Sequence, residues 1–213
     1  MIKQDNTQKI YDEHIIHQKP GFEATARLIG YVIEKMQQER LISQNVEVTG
    51  RIKSYASAYE NSHKKILDDC FGIRIIGKDE DLKKIEEELE KFLVVDKTKD
   101  HRKKNTAYNA VHQMAHIKQE YTTNSKLNYD LFPLVEIQYW NDELKTLCVE
   151  GALSYANYKK SAFKHIMDEL QESPKLVFKE LPTYYEVKGN RIRQLSASET
   201  LAKIYPEIDE FER

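Results

Sequence analysis

From Phe22 to about Leu41 the apolar residues Phe22, Ala26, Ile29, Ile33 and Met36 return in alternating steps of four and three, with Leu28 and Val32 widening the stripe. That spacing predicts a helix with one buried face, and Pro20 falls near its start. The preceding residues 1–18 are polar with scattered Ile10, Tyr11, Ile15 and Ile16, which predicts a short separate helix. Two β-rich segments follow, Val46–Lys53 and Phe71–Ile76, framing a helix-like run from about Tyr55 to Leu67. Asp79 is placed to cap a helix whose Leu82, Ile85, Leu89 and Phe92 form one stripe. Leu93–Asp96 reads as a short strand, and the stretch K-T-K-D-H-R-K-K-N-T after it, without an apolar residue, as a loop. A-Y-N-A-V-H-Q-M-A-H-I and P-L-V-E-I-Q-Y-W read as two more strands, joined by a polar connection around Thr122–Asn128, and a helix is expected over roughly Asp142 to Leu170. Beyond Ser173, L-V-F-K-E-L and Y-Y-E-V-K-G-N-R-I-R-Q-L predict short strands with a turn at Gly189-Asn190. Ser196 or Ser198 can then cap a last helix ending near Pro206.

Strands and helices alternate early and strands adjoin late, so the class is α+β, a mixed sheet of about five strands flanked by helices. The expected organisation is N-terminal helices over residues 1–44, a core domain over 45–172, and a small hairpin-helix appendage over 173–213.

Composition narrows the class of function. Of 213 residues, 32% are charged and 40% hydrophobic, as in a globular chain. No apolar run approaches the roughly 18 residues of a membrane span, and the N-terminus M-I-K-Q-D-N-T has no signal-peptide core, so a cytoplasmic protein is expected. Cys70 and Cys148 lack C-x-x-C spacing and lie in apolar surroundings, which favours reduced core thiols. A net charge of −2 predicts no uniform attraction to nucleic acid, so any such contact needs a local patch.

Several charges stand where strands usually carry Val or Ile. Arg51 and Lys53 are two apart and share a strand face, with Ser57 one helical turn further on. A guanidinium, an ammonium and a hydroxyl converging in this way suit a polyphosphate. Asp69 precedes the second strand, and Glu136 lies between Val135 and Ile137, where an acid is costly unless it binds a cation or works in a cleft. If the two strands are neighbours, this pair can hold Mg²⁺ against a nucleoside triphosphate. Tyr108 and His112, four apart on one predicted strand, also share a face and suit a nucleobase and a phosphate or hydroxyl. The basic stretch His101–Lys104 just before them strengthens the phosphate reading.

Taken in order, G-R-I-K-S-Y-A-S, D-D-C-F-G-I-R-I, A-Y-N-A-V-H and V-E-I-Q resemble the synthetase domain of the RelA/SpoT family, the small alarmone synthetases in particular, over roughly residues 45–160. The resemblance implies a nucleotidyltransferase-like fold and transfer of the β,γ-pyrophosphate of ATP to a ribose 3′-hydroxyl with Mg²⁺. It implies that Arg51 and Arg74 sandwich the adenine, that Lys53 and Ser57 hold the phosphates, and that Asp69 and Glu136 bind Mg²⁺, with Glu136 also activating the acceptor hydroxyl. Tyr108 would stack on the acceptor base, and His112, Gln138 and Lys103 or Lys104 would grip the acceptor.

Departures from the family pattern cluster on the acceptor side. Where the family has G-Y-x-S-x-H, this chain has Ala107-Tyr108-Asn109-Ala110-Val111-His112, and where it has E-I-Q-I-R-T, this chain has Glu136-Ile137-Gln138-Tyr139-Trp140-Asn141. Asn61 replaces a Lys that follows the phosphate-binding Ser. These departures, the tail after Ser173 and the basic residues His101–Lys104, Lys159, Lys160 and Lys164 resemble a toxin branch that pyrophosphorylates the 3′-CCA end of tRNA and is restrained by a small antitoxin. The sequence therefore places tRNA ahead of GDP or GTP as acceptor. A non-catalytic nucleotide-binding or interaction module is the alternative of another class, and a homo-oligomer is compatible with the resemblance.

Overall fold

The computed structural model describes residues 6–55, 70–104, 108–122, 132–149 and 182–204. Seven strands form one mixed sheet: β1 (Glu47–Ile52), β2 (Phe71–Ile76), β3 (Leu93–Asp100), β4 (Val111–Ile117), β5 (Val135–Trp140), β6 (Thr183–Lys188) and β7 (Arg191–Gln194). Their order across the sheet is β3-β4-β5-β2-β1-β6-β7. Only β2 and β5 run parallel; every other neighbour is antiparallel. The described helices are α1 (Asn6–Gln38), α2 (Asp79–Leu89), α3 (Asp142–Val149) and α4 (Ala197–Ile204).

Alternation along the strands separates the two faces. Val48, Ile52, Phe71, Ile73, Ile75, Val111, Ala115, Val135, Ile137 and Tyr185 point to one side, where Phe22, Ala26, Ile29 and Ile33 of α1 and Leu82, Ile85 and Leu89 of α2 complete a single core. Burying each large side chain of this set stabilises the fold by about 2 kcal/mol. The opposite face carries the polar residues, and the functional candidates lie there.

Four expectations change. The predicted pair of N-terminal helices is one helix that runs through Pro20. Pro20 lies on the exposed side, and Tyr11 before it and Phe22 after it are both buried in the same core, so packing holds the helix across a residue that removes a backbone donor. The basic stretch from Lys97 to Asp100 is the second half of β3, not a loop. As an edge strand with solvent on its flank it tolerates lysines, which also discourage pairing with other chains. Asp79 begins α2 instead of capping it: Lys78 occupies the cap position and makes no side-chain hydrogen bond there.

The fourth change concerns the C-terminal hairpin. Its Gly189-Asn190 turn forms as predicted, with Gly189 at φ 53°, but β6 pairs with β1 over five residues and raises the strand count from about five to seven. Gly30 of α1 makes this possible, because a methyl there would collide with the Gly189 carbonyl and Val187. Cys70 and Cys148 are free thiols, as expected. Among the described residues no helix is long and apolar enough to cross a membrane.

Candidate active site

Strand register gathers the candidates on the polar face. Thr49 lies opposite Arg74, Arg74 beside Gln138, and Gln138 opposite His112, in one row across β1, β2, β5 and β4. The next row holds Tyr184 of β6, Arg51, Gly72 and Glu136. Six of the predicted site residues, Arg51, Lys53, Arg74, His112, Glu136 and Gln138, are thus brought together by four strands or their ends. Lys53 follows β1, its N–H bonded to the Cys70 carbonyl at 2.9 Å, and Tyr11 of α1 donates its hydroxyl to the Lys53 carbonyl.

A continuous hydrogen-bonded chain links four of these side chains to Tyr108. Arg74 donates Nε and Nη2 to Gln138 Oε1 at 3.2 and 3.1 Å. Gln138 Nε2 donates to Glu136 Oε2 at 2.7 Å. His112 Nδ1 lies 2.9 Å from Glu136 Oε1; since an ionised carboxylate only accepts, that nitrogen carries the proton. In the neutral imidazole Nε2 is then an acceptor, and the Tyr108 hydroxyl donates to it across 2.8 Å. Tyr108 and Arg74 are therefore joined through Glu136.

Electrostatics follow from this arrangement. Burial pushes the Glu136 carboxyl up, but hydrogen bonds from His112 and Gln138 and the positive charge of Lys53 outweigh it and hold the group at about 2. It is ionised throughout the physiological range. Burial is the main influence on Arg74 and lowers its pKa, with the like charge of Arg51 acting in the same direction. Burial raises the Tyr108 phenol to about 12 against the pull of Arg74. A buried, ionised acid beside two guanidiniums suits an anionic ligand that carries a cation.

Arg51, Arg74, Gly72, Thr49, Gln138 and Tyr184 line a narrow cleft. A methyl at Gly72 would sit in ordinary contact with the Arg51 guanidinium and the Glu136 carbonyl, so glycine leaves that space open between the basic and acidic groups. Glu136 is a hard oxygen donor and fits Mg²⁺, which is usually held by one or two carboxylates beside substrate phosphates. Among the described residues no group of three His, Cys, Asp or Glu converges as a metal cage.

Tyr108 is corrected in position. It precedes β4 rather than lying on it, and its hydroxyl reaches His112 from there, while Ala110 between them packs with Trp140, Ile76 and Leu144. The turn His101–Lys104 is a 3-10 helix, and its His101 ring stands 5.3 Å from Tyr108 and 4.9 Å from His112. Ser57, Asp69, Lys159, Lys160 and Lys164 lie outside the described residues, as do the predicted helix after Tyr55, the connection after Thr122, the strand L-V-F-K-E-L and the continuation of α3. For Lys103 and Lys104 only the backbone is described.

Two residues that line the site were not predicted. Tyr184 belongs to the hairpin read as an appendage, and nothing local in the sequence ties it to Arg51. Trp140 was noted only as the replacement of an arginine, although its spacing of two and four from Gln138 and Glu136 already put it on their face.

No protein-family model and no curated protein matches the chain. Among solved structures it is similar to the small alarmone synthetase 1 from Bacillus subtilis, at 19% identity over 95% of this chain and 99% of that one, TM-score 0.53. The structure of that synthetase bound to its product pppGpp matches at 21% identity over 78% of this chain and 98% of that one, TM-score 0.52. A GTP pyrophosphokinase family protein from Streptococcus pneumoniae matches at 19% identity over 94% and 95%, TM-score 0.51. The chain has the fold of the small alarmone synthetases.

Proposed function

We propose that this chain, with its small alarmone synthetase fold, is an ATP-dependent pyrophosphokinase that transfers the β,γ-pyrophosphate of ATP to the 3′-hydroxyl of GDP or GTP. The observation that carries it is the hydrogen-bonded chain from Arg74 through Gln138, Glu136 and His112 to Tyr108. It joins a positively charged cleft suited to ATP with an aromatic and imidazole pair suited to an acceptor nucleoside. The sequence had placed tRNA first. A fold shared with a protein bound to pppGpp supports the guanosine nucleotide instead, and the tRNA acceptor, with its antitoxin, becomes an outcome of the test.

In this reading Arg51 and Arg74 flank the adenine, and Lys53 with Ser57 holds the phosphates. The acceptor hydroxyl oxygen bonds to the β-phosphorus as the bond from that phosphorus to the α,β-bridging oxygen breaks; AMP leaves and the hydroxyl proton is released to solvent. Glu136 and Asp69 would hold Mg²⁺, which when bound would supply neutralisation of the phosphate charge. Tyr108 and His112 position the acceptor, with Lys103 and Lys104 at its phosphates. A carboxylate held at about 2 is a weak proton acceptor, so Glu136 acts mainly by holding the cation and orienting the hydroxyl. Catalysis of this kind is positioning and charge neutralisation.

The test incubates the protein with ATP labelled at the γ-phosphate and, in parallel, GDP, GTP and deacylated tRNA. Label is expected in the guanosine products and is expected to fall by about 100-fold or more in Glu136→Gln, the scale of losing one electrostatic contact to the transition state. Label on tRNA alone overturns the guanosine acceptor but keeps the pyrophosphokinase. A folded protein that labels no acceptor is a binding module.

A further inference from the structure

We infer that Trp140 is a positioning residue for the nucleotide donor: its indole holds Arg74 flat against one wall of the cleft, leaving the guanidinium's opposite face to stack on a purine. The inference rests on the donor reading above. Trp140 is the only tryptophan in the chain, closes β5 opposite Ile76, and is buried among Ile76, Ala110 and Leu144. Arg74 Cζ lies 3.5 Å from the centre of its ring, the separation of face-to-face stacking. The amide of Gln138 takes Nε and Nη2 along one edge of the guanidinium.

The two restraints differ in kind. Gln138 fixes the guanidinium edge within its plane, and Trp140 fixes the plane itself. A planar guanidinium stacks on aromatic faces on either side, and the rotamer freedom an arginine would otherwise lose on binding is removed before the ligand arrives. The cleft beside Arg74 is bounded by Arg51, Gly72 and Tyr184, with no side chain at Gly72 to occupy it. The Tyr108 ring also meets Trp140 edge-on at 6.1 Å and 90°, on a different side of the indole from the Arg74 stack.

Trp140→Leu keeps an apolar side chain in the pocket but offers no π face, and Trp140→Phe keeps the face. The expected result is a KM for ATP raised about tenfold in Trp140→Leu, with kcat little changed, and restored to within about threefold in Trp140→Phe. Thermal unfolding of both variants separates this from loss of fold. As the chain has a single tryptophan, its emission reports on the stack in the unmodified protein, and ATP is expected to shift it. A folded Trp140→Leu with unchanged KM, or wild-type emission unmoved while dialysis shows ATP bound, overturns the inference and leaves the donor reading intact. Wild-type protein that retains no ATP in dialysis overturns the donor reading, and this inference with it.

Discussion

Glu136 stands between Val135 and Ile137, both fully buried, and such a carboxylate is costly unless its oxygens are satisfied. His112 takes one oxygen and Gln138 the other, and with Lys53 they more than offset burial. The folded group therefore titrates near 2 against an ordinary 4.5. A depressed acid contributes stability that is complete above the unfolded value and is lost as pH falls through the folded one. From the two values the contribution is about 3 kcal/mol. Chemical denaturation without divalent cation is expected to show wild type more stable than Glu136→Gln at neutral pH, with the gap closing between pH 4.5 and 2. A gap that stays constant over that range would remove His112 and Gln138 as the source of the effect.

Among the elements, α4 shows how a local signal survives intact. Ser196 Oγ accepts the Glu199 N–H at 3.2 Å while Glu199 Oε2 accepts the Ser196 N–H at 2.8 Å, the reciprocal capping box that the sequence allowed for Ser196 or Ser198. Arg193 of β7 binds the other oxygen of Glu199 at 2.7 Å, tying helix to hairpin. Ser196→Ala is expected to cost about 1 kcal/mol and to speed amide exchange in α4 and β7 before the central strands. Equal protection in the variant would mean that packing alone holds the element. By contrast, β3 and Tyr108 were misread from local composition. Lysines look like loop wherever a strand's partner is not in view, and Tyr108 reaches His112 from outside β4.

For the molecule as a whole, the hairpin decides whether the cleft beside Arg51 and Arg74 has two walls. β6 covers β1, Tyr185 packs edge-on against Phe22 of α1 at 5.6 Å, and Tyr184 faces the cleft. A chain ending before Pro182 would leave β1 as a bare edge and uncover Phe22. Such a truncation is expected to lose its cooperative thermal transition, whereas a detachable appendage would leave the melting temperature within a few degrees of the full chain.

The sequence by itself determined the periods, and therefore which residues share a strand or helix face: the buried stripe of α1, the pairing of Arg51 with Lys53, and the alignment of Glu136 with Gln138. It also carried the motifs that resemble the synthetases, and with them the α+β class. Only the tertiary structure decided which strands are neighbours. The parallel contact of β2 with β5 places Arg74 beside Gln138, and the return of β6 to β1 brings in Tyr184. Side-chain alternation is a property of each strand alone, but register between strands is set by long-range packing and hydrogen bonding. For that reason the individual charges were legible in advance, and the chain linking Arg74 to Tyr108 was not.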